Sequence, residues 1–537
     1  MRTKGIPAAA VVVVVCAAIG GLFGGRVMAR QDRVTERVRL YTAALAAVQN
    51  DYVEALDPAP LVYGSIDGML RTLDPHSSFF DPKSYAQMQE KQRGSYPGLG
   101  IKISKVGDDI TVVSVFEGSP AFRIGIRRWD VIAVIGGESA KGWDTDQAVA
   151  KLKGPKGTTV KVGIRRQNVD GLIDLTVERD EVNIVTVRAS FMLAPGTGYV
   201  RLQDFSNTTN DELGAALKKL SVDGMQRLVL DLRDNPGGPL VQAIAVSSRF
   251  LQKGQMVVST HGRIANSDEQ YRVTAEGGYA NVPLIVLVNR GSASASEIVT
   301  GAMQDHDRGM IIGETTFGKA LVQSVYQISN GAAVALTTAH YYTPSGRVIQ
   351  RPWDATFDEY LTYSLRDQEA SRPHPASELK YTDTGRKVYG GGGIEPDHFI
   401  AGPVEGFNPT RFSRMLVGET GPFATFSREF TAEGDSRPAS LKPPSTTHKV
   451  ARGWTITDAT VDEFKKMLVA RGVHVDEAAF ATDAAFIKAE IKYEIDDELF
   501  GAEEARRNLT KIDPQAQAAL TFFDEAAKLL ATKKSGH

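Results

Sequence analysis

The chain has 537 residues, more than one hydrophobic core ordinarily holds, so about three or four folded units are expected. Its 42% hydrophobic and 23% charged residues are those of a globular protein, and a formal net charge of −2 with no basic stripe gives no footing for nucleic acid. The only cysteine, Cys16, lies in an N-terminal apolar run and the nine histidines are scattered without metal-binding spacing, so no disulfide, no metal and no cofactor is expected.

Basic Met1-Arg-Thr-Lys4 precedes an uncharged run over residues 6–25, closed by Arg26. As a helix, a run of about 20 such residues spans about 30 Å, enough for a bilayer core. Val27-Met-Ala29 has the small residues of a signal-cleavage site, but the run is long for a signal peptide. Residues 1–30 are therefore expected to be a membrane anchor, with a cleaved signal as the alternative. In a bacterium this means a single pass through the inner membrane, with the bulk of the chain periplasmic or outside. Residues 31–94 read as a helical N-terminal region. Val34, Val38, Tyr41, Leu45, Val48 and Tyr52 form a stripe that packs within the chain or against a second copy. A helical run over residues 60–73 leads to Asp74-Pro-His-Ser-Ser-Phe-Phe-Asp81, where His76 reads as a turn or capping residue.

Residues 95–182 carry three blocks in order. They are Tyr96-Pro-Gly-Leu-Gly-Ile101, then Glu117-Gly-Ser-Pro-Ala-Phe-Arg-Ile-Gly-Ile126 with Asp130-Val-Ile-Ala-Val-Ile-Gly-Gly137, then Leu152-Lys-Gly-Pro-Lys-Gly-Thr-Thr-Val160. Together they resemble a PDZ domain. Gly98, Leu99, Gly100 and Ile101 then correspond to the loop whose N–H groups receive a peptide's terminal carboxylate while the peptide adds as a β-strand. Two positions depart from the module, Trp129 where glycine is usual and Lys153 where arginine is usual.

Residues 183–400 alternate strands and helices, which predicts an α/β core. Candidate strands are residues 198–202, 228–232, 284–288, 310–312 and 333–338. Two strand ends carry chemistry. After residues 227–232 comes Asn235-Pro-Gly-Gly238, which alone is a turn but can aim backbone N–H groups at a developing oxyanion, worth roughly 2.7–4 kcal/mol per donor. After the apolar residues 283–289 comes Arg290-Gly-Ser-Ala-Ser-Ala-Ser-Glu297, which puts Ser294 near the N-terminus of a helix. A serine hydroxyl needs a base, and Lys319 in Gly313-Glu-Thr-Thr-Phe-Gly-Lys319 can serve if its amine, ordinarily protonated below pH about 10.4, is held neutral by an apolar setting.

These segments, from Asn289 to Gln323, resemble the C-terminal processing peptidases, the tail-specific serine proteases of family S41. The likeness extends through Tyr341-Tyr-Thr-Pro-Ser-Gly-Arg347 and Gly391-Gly-Gly-Gly-Ile-Glu-Pro396, and so covers roughly residues 35–400. It implies Ser294 as nucleophile, Lys319 as general base, Gln323 orienting the lysine, and Asp305 as a supporting polar residue. Gly237 or Gly238, with Ala295, would supply the oxyanion donors; Ser292 and Ser296 are turn and cap hydroxyls. Ala320 replaces a usual glycine without removing a functional group. The fold implied is a ClpP/crotonase-like α/β protease core with an inserted PDZ domain. The function implied is a membrane-tethered endopeptidase that binds the C-terminal tails of exported proteins and cleaves nearby. Gating by the PDZ domain, an adaptor and a homodimer belong to the same expectation.

Residues 401–453 read as linker-like, being rich in Pro, Ser, Gly and charge from residue 433 onward. Residues 454–537 read as a mostly helical region, with Thr460-Val-Asp-Glu463 opening one helix and Asp513-Pro514 another. Leu520, Phe523, Ala527 and Leu530 form a packing or dimer stripe. Two rival readings remain from sequence: a PDZ-based, chaperone-like tether with an inactive protease core, and a Ser–His hydrolase using His306 or His340.

Overall fold

The computed structural model describes residues 34–535, apart from 167–168, 265, 354–359, 361–373, 402–409, 419, 431 and 434–447. The N-terminal apolar run lies outside the described residues, and among those described no helix is long and apolar enough to cross a membrane. The chain divides into two compact units, residues 1–81 with 327–335 and residues 82–326 with 336–537.

In the first unit, residues 34–51 are helical, and Val34, Val38, Tyr41, Val48 and Tyr52 of the expected stripe are exposed. Tyr41 shares a 2.6 Å hydroxyl–hydroxyl bond with Ser65 on the helix Pro58–Arg71, whose N-terminus is capped by Asp57. Asp74 then accepts the amides of His76 and Ser77 and so folds the turn, in which His76 is a turn residue and Asp74, not His76, does the capping. Strand Ser78–Phe80 pairs antiparallel with residues 333–335.

The second unit is built on a six-stranded sheet in the order Val187–Ala194, Thr197–Leu202, Arg227–Asp231, Leu284–Val288, Met310–Gly313, His398–Phe399. All pairings after the first are parallel, and Leu284–Val288 is buried at every position, as a doubly covered strand requires. Alternate side chains feed two different cores. Leu228, Leu230, Leu284, Val286 and Val288 pack with the helices Thr209–Val222, Leu240–Ser248 and Ala295–Asp305. Val229, Ile285, Leu287 and Ile312 face the other way and are covered by Ala516, Ala519, Phe523 and Ala526. Those four residues belong to the C-terminal helices Pro514–Thr521 and Phe523–Ser535, so the end of the chain closes the second face of the sheet.

Residues 95–182 contain a second six-stranded sheet, ordered Ile101–Val106, Asp109–Val115, Val131–Ile135, Thr159–Arg165, Ile173–Glu178 with Glu138–Ser139 paired to Val131–Ile135, and it has its own apolar core. Trp129 takes φ 71°, the left-handed region a glycine would occupy, and its ring is met by the guanidinium groups of Arg128 at 5.3 Å and Arg428 at 5.2 Å from the centroid. The turn is therefore kept, with backbone strain offset by two cation–π contacts. Lys153 reaches Glu90 and lies 4.9 Å from the Tyr96 ring centroid.

Inside the span read as linker-like, residues 411–416 and Pro422–Glu429 are helical, and Phe423, Phe426 and Phe430 are buried with Phe464 and Ile487. Their spacing of three and four puts all three rings on one helical face, a signal the polar residues after 433 outweighed. The helix expected at Thr460 begins three residues earlier, because the Thr457 side chain takes the cap position and accepts from Thr460 N.

Candidate active site

Ser294 ends the turn between the Leu284–Val288 strand and the Ala295–Asp305 helix, at φ 55° and ψ −113°. Such a conformation costs a non-glycine residue about 1–3 kcal/mol and persists only where neighbours over-determine it. Here they do. The Ser292 hydroxyl donates to Leu232 O at 2.8 Å, the Ser296 hydroxyl to Asn235 O at 2.9 Å, and Ala293 N to the same Asn235 O at 3.0 Å. Ser292 and Ser296 are thus fastenings of the turn, their hydroxyls spent on the neighbouring strand-to-helix turn.

A side chain that sequence reasoning passed over organises the rest. Glu297, in the first turn of the helix and fully buried, accepts Ser294 N at 2.8 Å and Lys319 N at 2.9 Å on one oxygen. Its other oxygen accepts the Thr316 hydroxyl and Gly318 N, both at 2.6 Å. The amides of Ser294 and Lys319 are therefore no farther apart than two hydrogen bonds laid end to end. Burial raises the Glu297 carboxyl above its ordinary range, while the hydroxyl and three amides pull it down. Since all four partners donate, the geometry is that of a carboxylate. Tyr341 adds a second link, its amide donating to Ala320 O at 3.0 Å and its hydroxyl to Ser294 O at 3.3 Å. Burial and the Glu297 charge push that phenol far up, which keeps it a donor. Lys319 Nζ donates to Gln323 Oε1 at 2.8 Å, so the lysine and its expected orienting partner do meet.

The glycine turn lies against the serine turn. A Cβ on Gly237, which sits at φ 91°, would come within 2.6 Å of Ala293 O and 2.7 Å of Ala295 N, so only glycine fits. Gly237 N is committed to Asn235 Oδ1 at 2.9 Å. Among the described residues Gly238 N and Ala295 N have no acceptor, which distinguishes Gly238 from Gly237 as an available donor.

Beneath this turn Asp231, fully buried, accepts the Tyr199 hydroxyl at 2.6 Å, Arg201 at 3.0 Å, and Arg233 on both oxygens. Burial opposes its charge, but the guanidinium groups of Arg233 and Arg201 outweigh it and hold the carboxyl well below the usual range.

Asp305 is not brought to the serine. It ends the eleven-residue helix, roughly 16 Å along the axis at about 1.5 Å per residue, where it accepts Arg347 at 2.6 Å and Ser345 N at 2.9 Å. Its support is given to the helix. His306 sits at the same far end, held by Asp383 at 2.8 Å and Met256 O at 2.7 Å. His340 precedes Tyr341 on a strand, so its side chain leaves on the face opposite the one reaching Ser294. Neither histidine is placed as a base for Ser294.

Within residues 95–182, Gly98 ends strand Ser95–Gly98, which pairs with Asp180–Asn183 in a two-stranded sheet. Ile101 opens Ile101–Val106, the edge strand of the other sheet, with one side unpaired within that sheet. Gly100 takes φ 77°, and a Cβ there would lie 2.1 Å from that of Ser119, so the loop Gly98–Ile101 can close only with glycine.

A family model for peptidase family S41 matches residues 196–355, and one for the PDZ domain matches residues 87–165. Over 307 residues the chain is 41% identical to the carboxy-terminal-processing protease of Bartonella bacilliformis, a stretch covering 56% of this chain and 70% of that protein. It is 36% identical over 309 residues to the carboxy-terminal processing protease CtpA of Bacillus subtilis, covering 57% of this chain and 66% of that one. The solved photosystem II D1 C-terminal processing protease aligns at 28% identity over 68% of this chain and 93% of its own, with a TM-score of 0.35.

Proposed function

Because the chain belongs to peptidase family S41, the carboxy-terminal processing proteases, and carries a PDZ domain, we propose that it is a serine endopeptidase in which Ser294 and Lys319 form the catalytic dyad. The observation that carries this reading is the shared Glu297 oxygen, on which the amides of Ser294 and Lys319 converge. Lys319, as a neutral amine oriented by Gln323, takes the proton of the Ser294 hydroxyl as Oγ attacks the scissile carbonyl. The tetrahedral oxyanion accepts from Gly238 N and Ala295 N. Its collapse breaks the C–N bond, and the leaving amine takes the proton back from Lys319. Water then attacks the acyl ester, giving its proton to Lys319, and the second collapse releases the new carboxylate and restores the serine hydroxyl.

Substrates in this reading are exported proteins with unstructured C-terminal tails. The tail's carboxylate is received by the loop Gly98–Ile101 as the peptide adds to the open edge of strand Ile101–Val106, and this binding gates the core. The strand–helix alternation supports a ClpP/crotonase-like core. The apolar run over residues 6–25 supports a single-pass inner-membrane anchor with a periplasmic catalytic part, and the exposed stripe on residues 34–51 supports a homodimer. Regulation by an adaptor is part of the same proposal.

The test is incubation of the protein with substrates bearing varied C-terminal tails. Ser294→Ala and Lys319→Ala should each lower turnover by about 10³-fold or more with folding intact. Binding of tails without any cleavage would instead favour a tether, and wild-type turnover in Lys319→Ala would remove the dyad.

A further inference from the structure

The buried charge cluster under the glycine turn is completed from the far end of the chain. Arg233 is 8% exposed and spends one side of its guanidinium on Asp231. The other side donates to Asp513 at 3.1 and 2.6 Å and to Gln515 at 2.8 Å. Asp513 is the N-cap of the helix Pro514–Thr521, accepting Gln515 N at 3.0 Å and Ala516 N at 3.2 Å. Gln515 in turn donates to Ile400 O at 2.8 Å, and Ile400 N donates to Gly313 O at 2.8 Å, which ties the same point to the end of a sheet strand. Both residues lie well beyond the span matched by the family model, residues 196–355.

Charge makes the contact consequential. Within the cluster the buried guanidinium groups of Arg201 and Arg233 face two carboxylates, Asp231 and Asp513. Asp234, 3.6 Å from Arg201, has a largely exposed side chain and contributes little in high dielectric. Without Asp513 the buried group carries a surplus positive charge and Arg233 has one side of its fork unpaired. Arg233 is also two residues from Asn235, whose backbone carbonyl holds Ala293 and Ser296 and whose side chain holds Gly237.

We infer that Asp513 is a positioning residue for the glycine turn, acting through Arg233 so that the Gly238 amide is aimed only when the C-terminal helices are docked on the sheet. The inference rests on the oxyanion role proposed above. The C-terminal region is on this account a built-in support of the catalytic machinery, and a chain whose end is displaced keeps its serine and lysine but loses turnover.

The test uses full-length Asp513→Asn, which keeps the cap and the volume but removes the charge. Hydrogen exchange across residues 232–240, kcat and KM on one tail substrate, and thermal unfolding are measured side by side. Exchange there should accelerate and kcat should fall about tenfold, short of the roughly 10²–10³ of a lost donor, with KM unchanged. Gln515→Leu, which leaves the charges paired, should move both readouts the same way by less, and serves if Asp513→Asn unfolds. Unchanged exchange or unchanged kcat in an active protein overturns the inference alone. A wild-type chain that cleaves nothing overturns the enzyme reading and takes the positioning role with it.

Discussion

Glu297 and Asp231 are both fully buried carboxylates at the ends of neighbouring strand-to-helix turns, and they are stabilised by opposite means. Glu297 has no cationic partner among its hydrogen bonds: one hydroxyl and three amides surround it. Asp231 is met by two guanidinium groups and a phenol. The four donors of the first arrangement all come from residues 294–319, although Leu232, Asn235 and Tyr341 fasten the turn around it. The second is completed by Asp513, 280 residues beyond Arg233, which balances its charge. On the proposed roles, the carboxylate beside the nucleophile is satisfied by donors close to it in sequence, whereas the oxyanion side would depend on docking of the C-terminal helices.

The largest expected effect is that of Asp231→Asn. It leaves two buried guanidiniums against one carboxylate, so urea unfolding of the full chain should lose about 3–5 kcal/mol. A loss under about 1 kcal/mol would mean the charges are solvated and the contrast with Glu297 is unreal. Glu297→Gln comes next. An amide NH2 must then face backbone N–H groups, so about 1–3 kcal/mol should be lost for each donor left unsatisfied, with kcat falling far more than KM rises. Equal losses in both parameters would place Glu297 in binding rather than in holding the dyad.

Glu490 sharpens the comparison, because it has neither a full donor set nor a neutralising pair. Burial and then the Glu494 charge push it up to about 7, with Arg506 offsetting only part. A raised carboxyl favours the fold while protonated, so this contribution is complete below the ordinary carboxylate value and is lost as pH rises through about 7. The urea midpoint should therefore fall between pH 5 and 8, and Glu490→Gln should flatten that slope. Asp231, held low, has the opposite sign: its contribution is present at neutral pH and is lost only on strong acidification. The smallest effect is expected for Trp129→Gly, where relief of the positive φ and loss of two cation–π contacts nearly cancel, leaving Tm within a few degrees of wild type.

What could be read beforehand follows the same division. Ser294, Lys319 and Gln323 lie within 30 positions of one another, on a strand end and a turn whose residue types declare themselves, and the Lys319–Gln323 bond is at hydrogen-bond length. Four strands of the six-stranded core sheet were legible, at residues 198–202, 228–232, 284–288 and 310–312. Val187–Ala194 and His398–Phe399 were not, and the strand expected at 333–338 lies in another sheet. The start of the last-but-one helix was legible from Asp513-Pro514. Glu297 was visible as an acid in a first helical turn, a position that favours negative charge, but nothing in its neighbours announced total burial. Asp305, expected as a supporting polar residue, braces the far end of the helix through Arg347 and Ser345, partners that no local pattern in the sequence announced. The Arg233–Asp513 pairing has no local signal, since no periodicity links residues 280 positions apart. The Phe423, Phe426 and Phe430 face was masked by the polar composition of the stretch that follows it.

The central claim is that Ser294 is made nucleophilic by its neighbour Lys319. Intact-mass measurement after exposure to a fluorophosphonate tests it most directly, since the reagent needs an activated hydroxyl but no bound tail. The account predicts a single adduct on Ser294 in the wild-type chain and none in Lys319→Ala, with both proteins folded. An adduct on Ser294 of Lys319→Ala at the wild-type rate, or an adduct on another serine, contradicts it.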